Sequence, residues 1–347
     1  MRILIYVGYQ SIHFNPDTLK STGLGGTEIA CINLARELKK FGHKVTVSGD
    51  VVPGYFEGIE WLPTEHCHEK YSNQFDVIIS ASYLHVALEF KDYVDSKIIF
   101  WAHNTDYYPW WRGEEIENHL ELLKSDKISR VVCLTEWHKD IWHSQFGNTN
   151  IEVIGNGIDT STFIGRPKKI KNRFIWSSAP ERGLLELLKN WQSVLKAKPD
   201  ATLEVFSPSY SIDQLDNSLE IKELLEQTGI IVRGNASQVE LHDAMLRAEY
   251  WMYLTDYEET YCITALEMQY AKVLPIVTNT AALNETVWNG IILEDTETKW
   301  QESVQLISKL GPELKDKVID DSFSWAKKQT WSERSYIWNE LLHKICK

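Results

Sequence analysis

No stretch of the chain approaches the roughly 20 consecutive apolar residues that a membrane-spanning helix needs, so no such helix is expected. Cysteine is sparse: five residues, at 31, 67, 133, 262 and 346, with no Cys-x-x-Cys pair. An odd, unspaced set in a chain this large points to reduced thiols and a cytoplasmic setting, not to a disulfide framework. Positive charge is also short, 36 Lys and Arg against 49 Asp and Glu, for a net charge of −13. That balance argues against nucleic acid as a partner, because phosphate neutralisation needs clustered cations. It leaves at most a peripheral membrane contact. The opening run, Met-Arg-Ile-Leu-Ile-Tyr-Val, lacks the apolar core and cleavage site of a signal peptide and reads as a strand.

Metal-ligand residues are poorly grouped. His66-Cys67-His68 is the one local cluster, in what reads as a polar loop, and no second ligand pair stands at zinc spacing. Neither a metal nor a cofactor is expected. The glycines at 23, 25 and 26 superficially suggest a dinucleotide fingerprint. That motif leaves its strand directly, whereas about fifteen residues intervene here, which argues against a dehydrogenase.

What the sequence does have is length for two cores and a regular alternation of apolar runs with helical windows. Runs at 2–7, 75–80, 97–102, 130–135 and 151–154 read as buried parallel strands. After a basic stretch, 166–171, the alternation resumes with runs at 174–176, 201–206, 229–233, 250–254, 274–278 and 290–293. The expected architecture is α/β, with a first domain over 1–157, a solvated linker over 158–171 and a second domain over 172–330. A closing amphipathic helix follows from 331, with Ile337, Leu341, Leu342 and Ile345 on one side. Tryptophan is abundant, at 14 residues.

The stretch from Trp251 to Glu285 carries the clearest chemistry. A buried strand runs into an acidic turn, a helix spans about Tyr261 to Lys272, and Pro275 begins the next strand. In a βαβ unit of this kind, ligands collect at the carboxyl end of the strand. Glu259 lies just outside the helix and Glu267 about one to two turns in, at ~1.5 Å rise per residue. Between them, the amides of Tyr261, Cys262 and Ile263 mark a helix start suited to a phosphate. A nucleotide sugar fits that set, a diphosphate between a ribose diol and a hydroxyl-rich hexose. Glutamates favoured by the helix dipole alone give the same pattern.

Glu259-x7-Glu267, with the following Ala-Leu-Glu, Pro-Ile-Val and Ala-Leu-Asn-Glu, resembles the donor-site signature of the retaining GT-B glycosyltransferases of family 4. The resemblance implies two doubly wound Rossmann-like domains facing a central cleft, with the closing helix 331–347 packing back on the first. It implies that Glu259 faces the transferred sugar and Glu267 the ribose. Gly-Gly-Thr-Glu, with Gly25 and Gly26, resembles the family's N-domain glycine motif near the donor phosphate. His103, in Phe-Trp-Ala-His-Asn, resembles its active-site histidine, and Asn156-Gly157-Ile158-Asp159 its linker entry. Ser177-Ser178-Ala179-Pro180-Glu181-Arg182-Gly183 resembles a variant of its cationic phosphate clamp, with Arg182 on the phosphate and Ser178 in the donor-binding set. The chain departs from the family where Thr260, Cys262 and Lys272 replace glycines and where only one clamp cation is evident. Tyr108, Trp110 and Trp111 suit either stacking on an acceptor sugar or packing as a lid. Thr135-Glu136-Trp137-His138 is placed to complete a cleft wall.

The resulting expectation is metal-independent transfer of a sugar from a nucleotide diphosphate to an acceptor hydroxyl of a glycan or glycoconjugate, with retention of configuration. Arg182 and the helix-start amides would stabilise the departing diphosphate, and domain closure would exclude water. The alternatives are another GT-B enzyme, such as a nucleotide-sugar epimerase or a sugar-phosphate synthase, or a silent nucleotide-sugar-binding subunit.

Overall fold

The computed structural model describes every residue except 11, 91, 106–120, 122, 124–126, 148–149 and 208. The chain divides into two compact units: Met1–Leu19, Leu24–Gly157 and Trp331–Lys347, then Lys20–Gly23 with Ile158–Thr330. Segment 158–171 clusters with the second unit, where Ile158 bridges to Thr330 and the Ile170 N–H donates to the Arg247 carbonyl. No helix among the described residues is long and apolar enough to cross a membrane.

In the first unit, β1 (Arg2–Gly8), β2 (Lys44–Gly49), β3 (Gly54–Phe56), β4 (Ile59–Leu62), β5 (Val77–Ala81), β6 (Lys97–Trp101), β7 (Ile128–Cys133) and β8 (Ile151–Val153) form one sheet. Its order is β3-β4-β2-β1-β5-β6-β7-β8. Every neighbouring pair is parallel except the β3–β4 edge hairpin. Only Arg2 of β1 is exposed. Burial on both faces is why these strands read as unbroken apolar runs rather than alternations.

The second unit holds β9 (Arg173–Trp176), β10 (Thr202–Val205), β11 (Ile230–Val232), β12 (Tyr250–Tyr253), β13 (Leu274–Thr278) and β14 (Ile291–Leu293). They are all parallel, in the order β11-β10-β9-β12-β13-β14. The doubly wound α/β class expected from the alternation is therefore what folds. The strand order reverses between β9 and β12, and such a reversal opens a crevice at the carboxyl ends of the two strands. The loops that leave Trp176 and Tyr253 flank that point. The tryptophans are largely spent on the cores: Trp176, Trp191 and Trp251 are buried in the second unit, and Trp101, Trp142 and Trp338 in the first.

Three local readings change. Residues 64–71 form a helix, Thr64–Tyr71, not a loop; it turns Cys67 inward as its one buried residue. Around it, His68 bonds Glu89 (3.2 Å), and no group of three metal-ligating side chains occurs among the described residues. Helix Trp331–Ile345 buries Trp331, Ser335, Trp338, Leu341 and Leu342, leaving Ile337 42% exposed. Trp331 and Trp338 pack edge-on against Trp101, and the area of these two indoles sets the buried face together with Leu341 and Leu342, turning Ile337 outward.

The helix expected over about Tyr261 to Lys272 is shorter, Ile263–Tyr270, and the residues that flank it explain both ends. Cys262 precedes it at φ +63° and Lys272 follows it at φ +58°, both in the left-handed region that normally favours glycine. At the carboxyl end, the Lys272 N–H reaches the Gln269 carbonyl (3.1 Å) and the Val273 N–H the Met268 carbonyl (2.9 Å), the paired bonds of a Schellman cap. Both positions therefore hold a backbone conformation that glycine would adopt without strain. In matched unfolding experiments, Lys272→Gly should be more stable than Lys272→Ala by about 1 kcal/mol, because only alanine pays the left-handed cost. Both variants lose the same lysine contacts, so equal stability would place the cost of this turn elsewhere.

Candidate active site

Glu259 sits on the loop after β12 and is 4% exposed. A buried carboxylate is costly unless its lone pairs are met, and here they are. Arg182 Nη1 lies 2.8 Å from Oε1 and 3.0 Å from Oε2, and the Tyr253 hydroxyl donates to Oε1 (2.5 Å). The backbone is pinned as well: the Ala282 N–H donates to the Glu259 carbonyl (3.1 Å), which ties the Ala-Leu-Asn-Glu turn to the acidic loop. Burial works against the Arg182 charge, but Glu259 beside it, with Tyr253 and Tyr257, raises its pKa on balance. Burial, and then Glu259, pushes the Tyr253 phenol far up, so it stays a donor.

Arg182 comes from the turn after β9, so the pair spans the two strands that flank the order reversal. Its side chain is 32% exposed and rides over the Tyr257 ring at 4.5 Å. Nε is buried and meets no acceptor among the described residues. With Nη1 spent on Glu259, the Nε and Nη2 hydrogens leave the guanidinium capacity for an anion. Ser178 lies half-buried in the same turn, and its carbonyl accepts from Trp176 Nε1 (2.8 Å). Nearby strand ends add two buried hydroxyls without partners among the described residues, Ser177 and Ser207. Ser207 was not read from the sequence; a serine ending the β10 apolar run was its only signal.

The helix that follows starts without a side-chain cap. Tyr261 and Cys262 are buried, and the N–H groups of Cys262 and Ile263 reach no acceptor among the described residues. Burial raises the Cys262 thiol well above its usual pKa, and Glu259 adds to this, which keeps it protonated. Glu267 is 5% exposed. Its Oε1 accepts from His242 Nε2 (3.1 Å) and Gln238 Nε2 (3.3 Å), two residues on helix Gln238–Arg247 that the sequence reading passed over.

The remaining expected residues belong to the first unit. His103 follows β6 directly, is buried, and lies against the Trp101 ring at 4.4 Å. Burial, with His138 nearby, lowers its pKa to about 3. His138 is buried rather than lining a wall. Its Nδ1 accepts from the Leu134 N–H (3.2 Å), so Nε2 carries the hydrogen and donates to the Asn104 carbonyl (2.7 Å). Trp142 Nε1 donates to the same carbonyl (3.0 Å), which fixes the residue after His103. Gly25 precedes helix Gly26–Lys40 with extended backbone, and a Cβ there would meet Glu28 Oε2 at 2.5 Å. The Glu28 carboxyl is raised by burial and eased by its own backbone N–H. Tyr108, Trp110 and Trp111 lie outside the described residues.

With this geometry in place, the comparisons are informative. Residues 60–162 match the family model Glycosyltransferase Family 4. A GDP-mannose:cellobiosyl-diphosphopolyprenol alpha-mannosyltransferase of Xanthomonas oryzae pv. oryzae is 26% identical over 165 residues, covering 46% of this chain and 43% of its own. The chain thus spans about two fifths of the length of the first curated relatives it matches, 43% and 40%. Among solved structures, a glycosyltransferase from Rickettsia africae superposes with a TM-score of 0.74 at 17% identity, over 100% of this chain and 99% of that one. Anabaena HepE in complex with UDP and glucose gives 0.72 at 12% identity, over 99% and 100%. The fold is GT-B.

Acid should weaken the first unit through His103 and His138. Both have folded pKa values, about 3 and about 4, below the ordinary ~6.5. Their stabilising contribution is therefore complete above pH ~6.5 and is lost as pH falls toward 4, by about 1.4 kcal/mol per pH unit for each. Chemical denaturation across that window should give a slope one proton shallower in His138→Gln than in the wild type. An unchanged slope would mean that His138 titrates normally in the folded chain.

Proposed function

We propose, on the premise that this chain combines the GT-B fold with a glycosyltransferase family 4 region, that it transfers a sugar from a nucleotide-diphosphate donor to an acceptor hydroxyl. The observation that carries the reading is the pairing of Arg182 with buried Glu259 across the order reversal of the second sheet, beside an uncapped helix start. Breaking a glycosyl–phosphate bond leaves positive charge on the sugar carbon and negative charge on the departing diphosphate. Arg182 and the Cys262 and Ile263 amides meet the negative fragment, and a carboxylate at Glu259 favours the positive one. Glu267 receives the ribose hydroxyls. The sugar-facing role of His103, and the donor-side roles of Gly25, Gly26 and Ser178, follow the family resemblance; that of Tyr261 follows its place at the helix start.

Retention, independence from metal and a cytoplasmic location belong to the same reading. So does the acceptor, a glycan or glycoconjugate. The relatives' names make GDP-mannose and a polyprenol-linked glycan the first pair to test, with UDP-glucose as the second donor because HepE was crystallised with UDP and glucose.

Three measurements test this function. Glu267→Ala should weaken nucleoside diphosphate binding about tenfold, the worth of hydrogen bonds to a charged group. Arg182→Ala should lower kcat about 100-fold, the usual cost of removing one donor to developing charge. Full activity in both variants sinks the assignment. Chelator should leave turnover intact; loss of activity restored by a divalent ion would show that a metal neutralises the diphosphate instead.

A further inference from the structure

The Glu267 carboxylate is held asymmetrically. Both of its protein bonds, from His242 Nε2 at 3.1 Å and Gln238 Nε2 at 3.3 Å, fall on Oε1, and no described residue donates to Oε2. His242 is 1% exposed and is fixed from two further sides. Its Nδ1 lies 2.7 Å from the Thr162 hydroxyl, and its ring stacks on Phe163 with centroids 3.9 Å apart and planes 14° from parallel. A carboxylate only accepts, so Nε2 must carry a hydrogen. The Thr162 hydroxyl, which also reaches the Asp159 carbonyl at 3.0 Å, serves Nδ1 as donor or acceptor. Whichever way it turns, the Nε2 hydrogen stays aimed at Glu267. Gln238 and His242 stand four residues apart on one helix and share a face, so the two donors converge by construction.

We infer that His242 is a positioning residue: with Gln238 it anchors Oε1 of Glu267 and turns Oε2 toward the ribose diol of the donor, while Thr162 and Phe163 lock the imidazole. This deepens the proposed function and rests on its reading of Glu267 as the ribose acceptor. An unanchored glutamate samples several rotamers and loses entropy on each binding event. One oxygen fixed in advance removes that loss and leaves the other oriented for the two hydroxyls. A purely structural role, in which the cluster only fills the core, predicts no dependence on the ribose hydroxyls at all.

The test uses UDP, GDP and ADP, each beside its 2′,3′-dideoxy counterpart, titrated calorimetrically into the intact chain. In the wild type the tightest nucleotide should outbind its dideoxy form about tenfold, and Glu267→Ala should erase that ratio. His242→Phe keeps the stack on Phe163 but has no donor. It should weaken the ribose nucleotide about tenfold, leave the dideoxy form unchanged and raise donor KM more than it lowers kcat. His242→Gln, which returns an N–H near the position of Nε2, should recover much of the ratio. Should His242→Phe fail to fold, Thr162→Val reads the same relay, with a smaller fall of about threefold in the ratio. If His242→Phe, or in its place Thr162→Val, keeps the wild-type ratio or weakens both forms equally, the positioning role is overturned although Glu267 keeps its own. If no nucleotide binds the wild type, or Glu267→Ala retains the ratio, the donor reading itself fails.

Discussion

Glu259 is the constraint on which the second unit's functional edge depends. A carboxylate taken out of water costs several kcal/mol even after relaxation, and the chain offsets this with Arg182 and Tyr253, while the Glu259 backbone carbonyl is tied separately to Ala282. Each partner comes from a different element: the turn after β9, the last residue of β12, and the turn after β13. Glu259 therefore fixes the turn after β9 and the end of β12 through its charge, and the turn after β13 through its backbone. Removing Arg182 leaves an uncompensated charge, a loss of about 3–5 kcal/mol for a fully buried pair. The figure here is smaller, because a third of the Arg182 side chain is open to water and solvent screens it.

That exposure gives the pair a direction. The carboxylate end is sealed, while the guanidinium end keeps donors unspent, with Nε finding no acceptor among the described residues. Under the sugar-transfer reading, the two ends match the two fragments of a bond that breaks heterolytically. A pair already assembled in the protein needs no reorganisation when the charges separate. Tyr257, beneath the guanidinium, keeps it in place without using any of its N–H groups, since the attraction runs through the ring face.

Much of this was legible in the sequence, and the failures have physical causes. The parallel strands were readable because burial on both faces makes each an unbroken apolar run; the β3–β4 hairpin was not, because its short strands are half exposed and their composition resembles loop. Element lengths placed Glu259, Glu267 and Arg182 at the carboxyl edge of the sheet, but the spacing alone suits a dipole-favoured helix start equally well, and it was the family resemblance that singled these residues out. His242 and Gln238 were invisible. On a helix with several polar residues, nothing in the sequence separates a buried histidine from a solvated one until the partner strand and turn are in place. Tyr253 hid for the opposite reason: within an apolar strand, its ring accounted for its presence and its hydroxyl went unread.

The residues that replace the family's glycines carry a last consequence. Holding Cys262 at φ +63° costs about 1–2 kcal/mol that glycine would not incur. The cost is met locally: the thiol is buried in the second unit's core, and the Cys262 carbonyl already accepts from the Ala265 N–H (3.0 Å). Glycine at the same position would leave the unfolded chain more freedom and give the folded turn more ways to relax. A side chain that is comfortable only when packed removes those alternatives. The Cys262 and Ile263 amides are then held in one orientation by the core rather than by the ligand they are proposed to meet, which moves the entropy of ordering the turn from binding to folding. Packing of the Cys262 side chain thus sets the geometry of this helix start.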